Sequence, residues 1–289
     1  MIDLHTHSTY SDGTVAPAPL IRLAEEAGLT AVALCDHDTV AGLPEFLSAA
    51  RESAVEAVPG VEFSTDFGRQ ELHILGLFIE PEHYGAIDGY LRDTQAGKEE
   101  SQRKLIRALQ GAGIFLDYEK IRAGTPKGQV NRALIAAEMM RLGYVPSVKE
   151  AFHRWLSPSR GYYIPPRRVD VFDAIAFLKS IGAVVILAHA FLNVTEPELR
   201  AFLPRAKAAG LDGMETLYPK FTREQTLLAG QIAREFDLLH SGGSDFHGEN
   251  KPDIRIGTGR GNISVPEAFL AELKARRDRD RIPDQIRKE

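Results

Sequence analysis

The chain has 289 residues, a formal net charge of -5, 44% hydrophobic and 26% charged residues. That is the mix of an ordinary globular protein with one large domain, or a domain carrying an insertion, and its sign excludes the broad basic field of a nucleic-acid coat. The single cysteine, Cys35, excludes a disulfide framework and a Cys-rich zinc site.

The spacing predicts a strand over 2–5 and a helix over 19–27, with apolar Leu20, Ile21, Leu23 and Ala24 and a stop at Gly28. A continuous apolar run over 31–35 suits a strand buried on both faces. A helix over 42–50 and strands over 56–63 and 71–79 follow. Alternating units imply a parallel sheet, open or closed into a barrel. The rhythm then changes. Residues 82–155 carry candidate helices over 98–109, 131–142 and 148–155, with loops at Gly111, Gly113, Gly124, Pro126 and Gly128. Alternation resumes after Pro165 and Pro166, with helices over 171–180, 198–209 and 222–236 and strands over 183–188, 213–217 and 238–242. The tail, 275–289, is dense in Arg, Asp and Lys and reads as a solvated helix end. No run is apolar enough to cross a bilayer, and the N-terminus lacks the regions of a signal peptide. The expectation is a cytoplasmic protein with no membrane contact and no evident protein partner.

Histidines and acids fall at strand ends. His5 and His7 close the first strand, with Asp12 in the next loop; Asp36 and His37 close the second and Glu62 the third. His73 lies in the fourth, His189 closes the fifth, and Asp245 and His247 follow the last. On a β/α barrel the carboxyl ends of the strands build the active site, so residues far apart in sequence converge there. His5-x-His7 points both imidazoles one way, because strand side chains alternate with period two. Imidazole and carboxylate ligands without thiolate suit Zn, Mn or Fe(II). Two such ions close together polarise an ester and supply hydroxide from water near neutral pH.

His-Thr-His-Ser-Thr-Tyr-Ser-Asp-Gly at 5–13, Cys-Asp-His-Asp-Thr at 35–39, Pro-Gly-Val-Glu at 59–62, Ala-His at 188–189 and Gly-Gly-Ser-Asp-Phe-His-Gly at 242–248 form an ordered set. It resembles the successive motifs of the PHP (polymerase and histidinol phosphatase) family, in the branch acting on nucleoside monophosphates and 3′,5′-bisphosphates. The resemblance implies an α/β fold, a distorted (β/α)7-type TIM-like barrel from 1–80 and 165–289, with a helical, substrate-capping insertion over 81–164. It implies two or three divalent ions (Mn, Zn or Fe). One would lie on His5, His7, Glu62 and Asp245, and a second on Glu62, His73 and His189. A third would lie on Asp12, His37 and His247, Asp12 standing where other branches have histidine. Residues 129–136 resemble a segment written Gly-Arg-Pro-His-Ile-Ala; Arg132 keeps the arginine and Leu134 replaces the histidine. Arg160 takes the place of a lysine before Tyr-Val-Pro. Arg132 and Arg160 are therefore the expected phosphate contacts, joined at the substrate by Asn131, Tyr163 and Ser244. Asp245 or His247 would assist the leaving group. The implied activity is metal-dependent hydrolysis of nucleotide phosphomonoesters, AMP or a 3′,5′-bisphosphate. The alternatives are 5′-to-3′ digestion of short RNA and, from another class, a non-catalytic nucleotide or metal sensor.

Several residues have plainer readings. His83 and His153 are surface or loop histidines, His240 a partly buried strand residue, and Cys35 a small core residue. Met139 and Met140 pack a helix. Gly242-Gly243 marks tight packing as readily as a phosphate loop.

Overall fold

The computed structural model describes residues 1–124 and 130–281. The predicted loop positions Pro126 and Gly128, Gln129 of the arginine segment and the tail beyond Arg281 lie outside the described residues. In chain order the first half contains β1 (Ile2–Thr6), α1 (Pro17–Glu26), β2 (Ala31–Leu34), α2 (Leu43–Ala50), β3 (Glu56–Phe67) and β4 (Gln70–Leu77). Then come α3 (Tyr84–Gly111), α4 (Tyr118–Ala123), α5 (Arg132–Arg141) and α6 (Val148–Ala151), the last running into a π turn over Phe152–Leu156. The remainder is β5 (Val169–Asp170), α7 (Val171–Ser180), β6 (Val184–Leu187), α8 (Glu196–Ala209), β7 (Gly213–Leu217), α9 (Arg223–Glu235), β8 (Leu239–Gly242) and α10 (Glu267–Arg281).

The fold is α/β, with one curled sheet in the order β1-β2-β3-β4-β6-β7-β8 and β5 paired to β3. It is not wholly parallel, as simple alternation predicted. Only Gly68 and Arg69 separate β3 from β4, and a parallel return needs a crossover of a dozen or more residues. A hairpin is the remaining choice, and Gly68 supplies the left-handed residue (φ 62°) that its turn requires. β4 therefore runs antiparallel to both β3 and β6, while β1–β2, β2–β3, β6–β7 and β7–β8 pair in parallel.

Apolar residues on both faces of the strands meet two layers. On one face Val32, Leu34, Val61, Phe63, Ile74, Val185 and Leu187 pack against α1, α2, α7, α8 and α9 through side chains such as Leu20, Phe46, Leu178, Phe202 and Ile232. On the other, Ile2, Leu4, Ala33, Val58, Leu75, Leu77 and Ile186 enclose a smaller cluster closed by Leu270 and Leu273 of α10. A third cluster lies outside the sheet, joining Leu105 and Leu109 of α3 to Ile135, Met139 and Leu156. α3 serves both bodies, since Ile87 and Leu91 near its start belong to the sheet's own core. Met140, by contrast with Met139, is 45% exposed and does not pack the helix. No helix among the described residues is long and apolar enough to cross a membrane.

The segment after β8 returns to β1. Asp245 N donates to His5 O (2.8 Å) and His7 N to Phe246 O (2.9 Å), so the two ends of the sheet meet beside the histidines. Gly243 makes this approach possible: a Cβ there would stand 2.4 Å from His5 Cβ and 2.5 Å from His5 N. The glycine pair is tight packing at this position. Gly243→Ala is expected to lower the unfolding free energy by about 2–4 kcal/mol in urea denaturation, since backbone and not a flexible side chain must give way.

Candidate metal centre

Strand geometry delivers the ligand-type side chains. His5 lies in β1 and His7 just beyond it, both fully buried. His37 follows β2. Glu62 sits within β3, not at its end, because the hairpin carries the strand on to Phe67. Its neighbour across the ladder is Leu75, and His73 lies two residues from Leu75. Alternation therefore puts His73 diagonally beside Glu62 on the same face. His189 (φ 26°), Asp245 (φ 54°) and the adjoining Asp38 (φ 53°) all hold left-handed backbone, which is strained for these residues. Three strained residues in one place mark a site whose geometry the fold over-determines.

The centre is organised around the Glu62 carboxylate, which is 0% exposed. Its Oε1 meets His73 Nδ1 at 2.8 Å and His189 Nε2 at 3.1 Å. Its Oε2 faces His37 Nδ1 at 3.0 Å, His7 Nε2 at 3.2 Å and His5 Nε2 at 3.4 Å. None of these three contacts is a hydrogen bond, and Glu62 Oε2, His7 Nδ1 and His37 Nδ1 are buried polar atoms without a partner among the described residues. His5 Nε2 and His7 Nε2 are themselves 3.1 Å apart. Lone pairs from a carboxylate and several imidazoles converge on one space, an arrangement that is costly alone and suits a divalent cation.

Four groups of ligand atoms lie mutually within 4.8 Å: His5, His7 and Asp245; His5, Glu62 and His189; His37, Glu62 and His73; and His7, Asp12, His37 and His247. All nine sequence-predicted ligand residues are thus brought together. Their sharing differs from the expected sets. His37 faces Glu62 as well as Asp12, His7 reaches towards Asp12 (Nδ1 to Oδ1, 3.8 Å), and His73 and His189 fall in separate groups that share Glu62. Asp12 Oδ1 lies 3.1 Å from His247 Nε2, so the carboxylate occupies ligand distance in this corner.

Charge follows from this crowding. Burial alone would raise the Glu62 carboxyl, but His37, His73 and His5 around it hold it well below its ordinary range. Asp245 is likewise kept ionised against burial by Lys251 and His247, and Asp12 by His247 and His37. Burial disfavours a charged imidazole at His7, yet Asp245 and Glu62 push it up to about 9; at His73 Glu62 and Glu71 push it up to about 10. Burial wins at His37, which falls to about 3. The carboxylates thus demand positive charge, and a divalent cation supplies it in competition with protons.

Behind the ligand atoms stand further acids, of which Glu215 and Glu71 lie outside the quoted motifs. Glu215, 0% exposed in β7, accepts from His5 Nδ1 (2.9 Å) and from His189 N (2.7 Å). The first contact leaves His5 Nε2 free to face the centre. Glu71 meets His73 Nε2 at 3.0 Å and is held by Arg168 at 2.7 Å, with the same effect on His73 Nδ1. Asp36 accepts from Ser8 Oγ (2.6 Å) and Ser11 Oγ (2.5 Å), fixing the loop that carries Asp12. A Glu within Gly-Met-Glu-Thr-Leu, an apolar strand, was the one available signal for Glu215.

Two cavities open on this centre. The larger, about 630 Å³, is lined by Asp12, His37 and His73 and by Lys98, Asn131, Arg132 and Tyr163. The smaller, about 240 Å³, shares His37, His73 and Arg132 and adds Tyr218, Lys220 and Lys251. Arg132 stacks over the Tyr163 ring at 4.3 Å and forms no ion pair with a carboxylate among the described residues; its one hydrogen bond is to Leu156 O (3.4 Å). Asn131 caps α5 through Oδ1 and donates Nδ2 to Ser11 O at 3.0 Å. Two expected substrate contacts are placed elsewhere. Arg160 is exposed on the turn Pro158–Arg160 and lines neither cavity. Ser244 is buried with its hydroxyl donated to Asp3 Oδ2 (2.5 Å), because the Asp3 carboxylate under the loop needs the partner. Of the remaining histidines, His153 is exposed, His83 is partly exposed, and His240 stacks on Phe269.

Comparison with known proteins identifies the family. The PHP domain model matches residues 3–164. A 5′-3′ exoribonuclease of Haemophilus influenzae is 35% identical over 246 residues, covering 85% of this chain and 89% of the relative. A 3′,5′-nucleoside bisphosphate phosphatase of Chromobacterium violaceum is 27% identical over 95% of this chain and 97% of its own length. The solved structure of a Bifidobacterium adolescentis protein described as a metal-dependent phosphoesterase superposes with a TM-score of 0.85 at 28% identity, covering 95% of this chain and 96% of that one. The chain belongs to the PHP domain family.

Proposed function

We propose that this chain is a metal-dependent phosphomonoesterase acting on nucleotides, AMP or a 3′,5′-nucleoside bisphosphate. The observation that carries the reading is Glu62 Oε2, buried and faced by His5, His7 and His37 at 3.0–3.4 Å without a hydrogen bond. His5, His7, Glu62 and Asp245 would hold one ion, Glu62, His73 and His189 a second, and Asp12, His37 and His247 a third, with His7 and His37 bordering more than one site. Bound divalent ions, Mn, Zn or Fe, supply Lewis-acid stabilisation of phosphoryl charge and a nucleophile near neutral pH. The helical unit over 81–164 caps this centre on a barrel formed by 1–80 and 165–289. Arg132, paired with no acid among the described residues, binds the outer phosphate oxygens; Asn131 and Tyr163 position it through the α5 cap and the ring stack. Asp245, held ionised, acts as a ligand and not as the acid. Lys251, 2.7 Å from Asp245 Oδ2 on the smaller cavity, faces the charge that develops on the leaving oxygen.

Phosphate release from a nucleotide panel tests the reading directly. Chelated protein is expected to be inactive and to recover with Mn²⁺. Glu62→Gln should lose on the order of 10³-fold in kcat/KM and bind fewer ions per chain by elemental analysis, several kcal/mol of charge stabilisation being lost. Wild-type protein that releases no phosphate from any ester with metal present refutes it. Arg132→Ala is expected to lower kcat/KM for nucleotides about 10–100-fold, the worth of charge-assisted hydrogen bonds. Arg160→Ala, a change outside both cavities, should shift it less than about threefold.

The Haemophilus relative favours a second reading, 5′-to-3′ trimming of short RNA, and two cavities meeting at one centre leave room for a substrate continuing past the scissile phosphate. A 5′-phosphorylated trinucleotide should then release mononucleotides in order from the 5′ end. Release of inorganic phosphate alone would restrict the activity to monoesters.

A further inference from the structure

The side-chain oxygen of Gln102, on the larger cavity, has no hydrogen-bond partner among the described residues. Gln102 of α3 is 5% exposed, lines the cavity that also contains Asp12, His37 and His73, and its Oε1 is buried without a partner among the described residues. An unpaired buried amide is destabilising, and an apolar residue of the same size would avoid the cost. Of the cavity-lining residues earlier on the same helix face, the two nearest are occupied. Gln95 Nε2 donates to Asp38 O (3.0 Å), and Lys98 is paired with the Asp38 carboxylate. Gln102 lies seven residues beyond Gln95, about 10 Å further along the helix from the turn that carries His37 and Asp38. A nucleoside monophosphate with its phosphate at the metal ligands spans such a distance to its base. Apolar Val130, Phe152 and Tyr163 complete the wall, the mix expected of a pocket for a flat heterocycle.

We propose that the α3 end of this cavity is a nucleobase subsite and that Gln102 is its specificity-determining residue. The carboxamide offers one acceptor and two donors on a planar group, and pairs with a base edge that presents an adjacent donor and acceptor. A neutral amide suits a neutral base, while Arg132, a cation of the same cavity with no ion pair to a carboxylate among the described residues, suits phosphate. This inference rests on the phosphomonoesterase reading and adds to it the part of the substrate that does not react.

The test uses Mn²⁺-loaded full-length protein and two esters, a nucleoside 5′-monophosphate and ribose 5-phosphate, which lacks the base. In wild type kcat/KM should favour the nucleotide. In Gln102→Leu that preference should fall about tenfold, chiefly through KM, with the melting temperature retained because an apolar side chain replaces an unpaired amide. Gln102→Met provides the same reading should the leucine variant fold poorly, and calorimetric binding of the nucleotide to each variant gives a measure independent of turnover. A preference unchanged within twofold, or an equal loss on both esters, overturns the subsite while leaving the phosphoesterase reading intact. Wild-type protein that cleaves neither of these esters nor a 3′,5′-nucleoside bisphosphate overturns both.

Discussion

A carboxylate with no access to solvent, surrounded by imidazoles, is tolerable only if the surrounding positive charge is fixed in place. Glu62 is in that position, with five histidines at 2.8–3.4 Å from its two oxygens. Much of the fold can be understood as the means of holding them. β1 and β2 bring His5, His7 and His37 from one side, the β3–β4 hairpin brings His73, and His189 follows two residues after β6. The return of the chain after β8 over Gly243 closes the circle with Asp245 and His247. Each element is anchored by apolar packing on the face away from the site, so the polar centre costs the core little of its continuity.

The ligands are themselves oriented from behind. Glu215 constrains His5 and the backbone of His189, Glu71 with Arg168 constrains His73, and Asp36 ties down the loop of Asp12. Glu215 and Glu71 direct which ring nitrogen is left free, a choice worth about 10–100-fold in metal affinity. The helical unit over α3–α6 provides a different chemistry, with Arg132, Asn131 and Gln102 facing the cavity where a substrate's non-reacting parts would lie.

What was legible in the sequence follows from locality. His-x-His, Asp-His and Asp-x-His sit at strand ends, and strand alternation alone is enough to aim them at one face. The helices α7 and α9 fall where the resumed alternation placed them, over 171–180 and within 222–236. The hairpin was not legible because the expected strands, 56–63 and 71–79, leave seven residues between them, whereas β3 runs on to Phe67 and the turn is only two residues long. Glu62 was assigned a strand end for the same reason. Residues whose role depends on a neighbour far along the chain were the least legible. Glu215 has no motif, and its partner His5 is 210 residues away. Ser244 looked available for substrate because Asp3, which claims its hydroxyl, lies 241 residues earlier. Arg160 and Arg132 looked equivalent, yet only Arg132 sits on a helix start that faces the cavity.

The central claim is that Glu62 and the imidazoles around it share divalent cations. Anomalous scattering from crystals of the protein grown with Mn²⁺ tests it most directly. The expected result is at least two anomalous peaks, one of them between Glu62 Oε2 and the nitrogens of His5, His7 or His37. Fully reconstituted protein with no anomalous peak within bonding distance of Glu62 would contradict it.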